Sequence, residues 1–172
     1  MLPDATSIYK GIQQAVTNNC GSTELSEKGE WNKKPDIALV IFGEEPYAEG
    51  QGDVETLGYK GGATNDLQLI RKLREQNIPV VSVFITGRPL WMNAEINASN
   101  AFVVAWLPGS EGQGVADVLV ADTKGQPRYD FTGRLSFEWP NAEINIDDVK
   151  LPVLDQLLNL GAGLSYGDEA IL

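Results

Sequence analysis

Four carboxylates, Glu44, Glu45, Glu49 and Asp53, fall within the segment Gly43-Glu44-Glu45-Pro46-Tyr47-Ala48-Glu49-Gly50-Gln51-Gly52-Asp53, and Glu55 follows just beyond. Three glycines and a tyrosine share the segment, a combination suited to presenting an acid to a polar substrate. The sequence contains no histidine (His 0), which excludes a Ser-His-Asp triad, a Cys-His pair, a histidine general base and the usual histidine zinc sites. Its single cysteine, Cys20, can neither close an internal disulfide nor build a thiolate metal cage. Acid/base chemistry would therefore fall to carboxylates, lysines or tyrosines, with carboxylates the commonest choice. Spacing does not choose among the five acids. The same stretch also reads as a solvated acidic loop without chemistry, and its pattern does not match an EF-hand, so no metal is expected.

Two further loops carry candidate residues. In Gly87-Arg88-Pro89-Leu90-Trp91, Arg88 is placed to pair with carboxylates of the acidic loop, either as part of a site or as a purely structural salt bridge. Pro108-Gly109-Ser110-Glu111-Gly112-Gln113-Gly114 matches neither Gly-x-Gly-x-x-Gly nor a Walker lysine motif, which argues against nucleotide binding. Trp31, Trp91, Trp106 and Trp139 are the tryptophans. Trp106 and Trp139 lie in strand-like runs and are expected to be buried. Trp91 and Tyr47, in loops, are better placed to stack on a ligand ring, and Tyr47 shares the acidic loop.

The elements that must position these loops read as alternating β and α. The runs Ile37–Phe42, Val80–Ile85 and Ala101–Trp106 are short, apolar, rich in β-branched residues and not alternating, as expected of parallel strands covered on both faces. Asn65–Asn77 places Leu67, Ile70 and Leu73 at helical spacing, with basic residues late, where a helix favours them. Further helices are expected over Ser7–Asn18 and Gly114–Ala121, and a loop over Gly161–Gly167. The alternating Leu135-Ser136-Phe137-Glu138-Trp139 predicts one more strand, at an edge. The fold class is α/β: a three-layer α/β/α sandwich with a mainly parallel sheet and a candidate antiparallel edge strand. In such sheets function gathers beyond the carboxyl ends of the strands, which are the positions of the three loops above. The acidic loop continues irregularly to about Thr64, long for a βα connection, and loops of that length are commonly functional.

At 172 residues, 42% of them hydrophobic, the chain is read as a single domain over 1–172 that buries its own core. A net charge of −11 would repel nucleic acid and anionic lipid, so neither nucleic acid nor membrane is an expected partner. The N-terminus lacks the basic start and apolar stretch of a signal peptide, and no apolar run approaches membrane-spanning length.

The segments Asp36–Asp53 (DIALVIFGEEPYAEGQGD), Ser82–Leu90 (SVFITGRPL), Asn97–Asp117 (NASNAFVVAWLPGSEGQGVAD), Phe131–Pro140 (FTGRLSFEWP) and Gly163-Leu164-Ser165-Tyr166 closely resemble, in that order, the second domain of family 3 glycoside hydrolases. Closest in flavour are the bacterial exo-acting β-glucan glucohydrolases and β-glucosidases. The resemblance implies an α/β sandwich that lends an acid/base to a site shared with an N-terminal (β/α)8 barrel, whose aspartate is the nucleophile. The family pattern G-E-x-P-Y-x-E-x-x-G-D puts the acid/base on Glu49, with Glu44, Pro46, Tyr47, Gly52 and Asp53 framing it. Glu44, Tyr47, Asp53, Arg88 and Trp91 are then expected to bind substrate or support the loop. Thr86 stands where the family's S-G-R-P motif has serine, and keeps the hydroxyl. The resemblance implies a β-glucan or β-glucoside substrate, no cofactor, and a periplasmic or secreted location. A barrel needs about 250 residues, so the barrel is expected to lie outside this chain and the chain alone to be inactive. A non-catalytic carbohydrate-binding or structural α/β domain is the competing reading.

Overall fold

The three apolar runs form parallel strands, β1 (Ala38–Gly43), β2 (Val80–Ile85) and β3 (Ala101–Trp106), in the order β1-β2-β3. The structure is a computed structural model and describes residues 4–61, 65–145 and 155–169; the end of the acidic loop near Thr64 lies outside the described residues. Placing β2 in the centre gives it a neighbour on each side, and Val80, Val83 and Phe84 are completely buried. The outer strands are covered less fully. Ile41 on β1 and Trp106 at the end of β3 are exposed, so burial on both faces holds for β2 only.

Two helices accompany this sheet. The α2 helix (Asp66–Glu75) starts at the N-cap Asn65, whose side chain accepts from Gln68 N, and carries Lys72 and Arg74 in its last turn. Its buried Ile70 and Leu73 join Val40, Phe42, Val80 and Phe84 of the strands in one apolar cluster. The six-residue α3 (Asn93–Ala98) leaves no mark in the sequence, because it has no capping side chain and is too short to show an apolar period.

The expected strand over Leu135–Trp139 is corrected. Only Trp139–Pro140 forms a strand, β4, pairing antiparallel with β5 (Gln156–Leu158) in a separate two-stranded sheet. Leu135 is tied instead to the turn at Gly161 and Ala162; it and Trp139 pack on the core, but Phe137 between them is exposed, so the alternation marks no continuous buried face. Pro140 lacks the N–H a longer ladder would need.

The chain falls into two compact units, one of Trp31–Trp106 and Leu135–Ala162, holding the elements just described, and one of Met1–Glu30, Leu107–Arg134 and Gly163–Leu172. In the second unit α1 (Ile8–Asn18) is capped by Ser7, whose hydroxyl accepts from Lys10 N, and packs on α4 (Gly112–Leu119). Thr6 N donates to Ser110 O and Gly112 N to Thr6 O, both at 2.9 Å, which brings the helix starts so close that a Cβ on Gly112 would lie 2.3 Å from Ile8 N. The helix α4 thus begins and ends two residues before the expected Gly114–Ala121. The segment at Gly161–Gly167 is irregular, as expected. The described chain is thus α/β with a mainly parallel sheet plus a small antiparallel pair.

Candidate active site

Parallel pairing decides which loops meet. Gly43 is opposite Ile85 in the β1/β2 register, so Glu44 and Thr86 leave the sheet as neighbours, at the carboxyl ends of adjacent strands. Glu44 N donates to Ile85 O (3.1 Å) and Thr86 N to Trp106 O (3.2 Å), which stitches the three strand ends together. The last pairing passes through an irregularity after Phe84, and Trp106 adopts the left-handed region at φ 55°. Trp106 is 36% exposed, which corrects its expected burial; Trp139, 1% exposed, is buried as expected, with the two ring centroids 6.4 Å apart.

On this base the acidic loop and the Gly87–Trp91 loop build a clamp around one cation. Arg88 Nε donates to Glu44 Oε1 at 2.9 Å, and Arg88 Nη1 donates to the Gly52 carbonyl at 2.7 Å. The guanidinium carbon sits 4.2 Å from the centroid of the Tyr47 ring, a cation–π contact. The other carboxylate oxygen of Glu44 accepts from the Thr86 hydroxyl at 2.5 Å and from Gly87 N at 3.3 Å. Arg88 N in turn donates to Thr86 Oγ1 at 3.1 Å. The hydroxyl that Thr86 shares with serine is therefore in use. The Glu44 and Arg88 side chains keep only 14% and 20% of their exposure, so this pair is shielded far better than a surface salt bridge.

The loop tip is shaped differently. Gly52 N donates to Ala48 O (3.0 Å) and Asp53 N approaches Gly50 O (3.4 Å), closing a tight turn in which Gly50 has φ 77°. Gly52 lies close against one edge of the Tyr47 ring: a Cβ there would sit 2.6 Å from it. Glu49 rides on this turn, exposed, and makes no hydrogen bond or ion pair among the described residues. Asp53 is exposed beside it. The returning arm is pinned by Trp91 N donating to Leu57 O (2.8 Å) and Tyr59 N to Trp91 O (3.0 Å), so the backbone of Trp91 anchors the loop while its side chain remains 36% exposed.

Of the residues expected from sequence, Glu44, Tyr47 and Arg88 come together and line a pocket of about 370 Å³, whereas Glu49, Asp53 and Trp91 are not part of its lining. Tyr59 and Lys60 also line it. Nothing in the sequence around Tyr59 marks it as a site residue. Its ring packs 5.9 Å from Phe42 and 5.2 Å from Phe84, and its hydroxyl donates to Oδ2 of the buried Asp66 at 2.7 Å. No local pattern signals that pairing, since it depends on the loop folding back to the start of α2. A groove of about 440 Å³ on α2 and α3, lined by Arg71, Arg74 and Asn97, holds none of the loop acids. Among the described residues, no cluster of histidine, cysteine, aspartate or glutamate could hold a metal ion, and no helix is long and apolar enough to cross a membrane.

Comparison with known proteins adds to this geometry. Residues 2–166 match the family model described as the glycosyl hydrolase family 3 C-terminal domain. The crystal structure of exo-1,3/1,4-beta-glucanase from a Pseudoalteromonas species superposes with a TM-score of 0.90 at 50% identity, covering 99% of this chain and 21% of that one. The lysosomal beta glucosidase of Dictyostelium discoideum is 30% identical over 95% of this chain and 22% of its own length. The periplasmic beta-glucosidase of Salmonella typhimurium is 29% identical over 75% of this chain and 15% of its own length. The chain thus spans about a fifth of the length of the first two of these relatives.

Proposed function

The chain belongs to glycosyl hydrolase family 3 as a C-terminal domain, and from that premise we propose that it carries the acid/base of a retaining, exo-acting β-glucosidase or β-glucan glucohydrolase. An N-terminal (β/α)8 barrel is its working partner and supplies the aspartate nucleophile. Glu49 is the acid/base. In the first step its carboxyl protonates the departing glycosidic oxygen while the nucleophile bonds to the sugar; in the second its carboxylate takes a proton from the water that releases the sugar. The two carboxyl groups would stand about 5–5.5 Å apart with substrate bound.

The observation that carries this reading is the contrast within one loop. Glu44 is shielded and held by three donors, whereas Glu49 is exposed at the tip of a turn and makes no hydrogen bond or ion pair among the described residues. Glu44, Tyr47, Arg88, Asp53 and Trp91 support the loop or meet the substrate. The names of the relatives favour a β-glucan or β-glucoside as substrate, and one of them is periplasmic, in keeping with a periplasmic or secreted setting.

The test uses the polypeptide in which this chain is joined to its barrel. Glu49→Gln should lower kcat/KM by about 10²- to 10⁴-fold for a β-glucoside with a poor leaving group. A nitrophenyl glucoside should suffer far less, with its turnover rescued by azide. Unchanged kinetics on both substrates would refute the acid/base role and leave a loop that only binds carbohydrate. The 172-residue chain alone should release no glucose from the nitrophenyl glucoside.

A further inference from the structure

We infer that Arg88 is a positioning residue for Glu49, an inference that rests on the acid/base reading above. The guanidinium touches the acidic loop on both sides of Glu49. Upstream it is bonded to the Glu44 carboxylate and lies over the Tyr47 ring; downstream it is bonded to the Gly52 carbonyl. A single planar cation thus spans the turn that carries the acid. Glu44 cannot swing away with it, because Thr86 and Gly87 hold the second carboxylate oxygen and Thr86 is 1% exposed at the end of the central strand. The chain of contacts runs from the buried strand β2, through Thr86 and Glu44, to Arg88, and so to the turn.

The same contacts commit Arg88 to the loop. Its Nε and Nη1 already have acceptors and one face of its plane is covered by Tyr47. The contact works in both directions: a face of Tyr47 is occupied by the guanidinium and an edge of its ring lies against Gly52, which makes the tyrosine part of the same clamp. Lysine cannot replace this arrangement. An ammonium can pair with Glu44, but it has no planar fork to reach Gly52 while stacking on the ring.

The experiment compares Arg88→Met, Arg88→Lys and Gly52→Ala in the barrel-joined polypeptide, measuring kcat/KM for an alkyl and a dinitrophenyl β-glucoside. Misplacement of the acid by about 1 Å costs on the order of 10²-fold in rate, and the loss should fall on the alkyl substrate, whose leaving group needs the proton. Arg88→Met should lose about that much on the alkyl glucoside and only a few-fold on the dinitrophenyl one, with Arg88→Lys in between. Gly52→Ala, whose new Cβ drives into Tyr47, should reproduce the pattern and carries the test if Arg88→Met does not fold. Equal losses on both substrates, in proportion to the folded fraction, would reduce Arg88 to a stabilising salt bridge and overturn the inference, as would wild-type kinetics. Glu49→Gln is run alongside. Leaving-group dependence in Glu49→Gln but not in the clamp variants overturns the positioning role alone, and its absence in Glu49→Gln overturns both.

Discussion

Tyr59→Phe removes one oxygen and leaves the ring in place, which makes it a clean measure of how the returning arm of the acidic loop is anchored. The hydroxyl donates to Asp66 Oδ2 at 2.7 Å, and Asp66 is only 3% exposed, so water cannot readily take the place of the lost donor. A hydrogen bond to a charged group contributes about 1.5–3 kcal/mol. The ring contacts with Phe42 and Phe84 persist in phenylalanine, so the packing contribution cancels. The expected loss is about 2 kcal/mol, equivalent to about 4–8 °C in Tm for a chain of this size. Urea unfolding followed by tryptophan emission is the suitable assay, because Trp31, Trp91, Trp106 and Trp139 all lie in the same unit as Tyr59 and report its unfolding. Combining Tyr59→Phe with Asp66→Ala should give a coupling of about 1–2 kcal/mol, since residues in direct contact do not add. A loss below about 0.5 kcal/mol in Tyr59→Phe, the range typical of surface substitutions, together with additivity in the double variant, would refute the anchoring argument and leave Tyr59 as an apolar ring only.

Other expectations test the core and a titrating group. Phe84→Ala empties a site that is 0% exposed and ringed by Phe42, Tyr59 and Phe102, and should cost about 3–5 kcal/mol in the same unfolding assay. Burial, with a smaller push from Asp66, raises the Glu95 carboxyl above the ordinary glutamate range, against a backbone hydrogen bond and Arg71, which lower it. The folded state therefore holds this proton more tightly than the unfolded chain, so its contribution is present below the unfolded pKa and is lost as pH rises through the folded one. Glu95→Gln should accordingly raise Tm at neutral pH and flatten the decline of stability across the upper carboxylate range; an unchanged pH profile would show that Glu95 is as well solvated folded as unfolded.

The acidic loop shows where legibility stopped. The three parallel strands and the helices over α1 and α2 were readable because each is specified by its own residues: runs of β-branched side chains, an apolar period, and a capping Ser7 or Asn65. The unread α3 and the misread Leu135–Trp139 have no such local signature. Their conformations follow from partners distant in sequence, such as Gly161 and Ala162 for Leu135. Absence of histidine confined acid/base chemistry to carboxylates, lysines and tyrosines, and the length and glycine content of one loop pointed to five acids. The family motif, not spacing, selected Glu49.

What the sequence determined by itself was therefore the class of fold, the identity of the loops beyond the strand ends, and the short list of groups able to move a proton. Only the tertiary structure separated those groups by environment. Parallel pairing of Gly43 with Ile85 sets Glu44 against Thr86 and Arg88, shielded and bonded, while the turn through Gly50 and Gly52 leaves Glu49 in the open. The two glutamates share a residue type and a loop. They differ because the strand register fixes the neighbours of the first, and the turn beyond it keeps the second clear of any described partner.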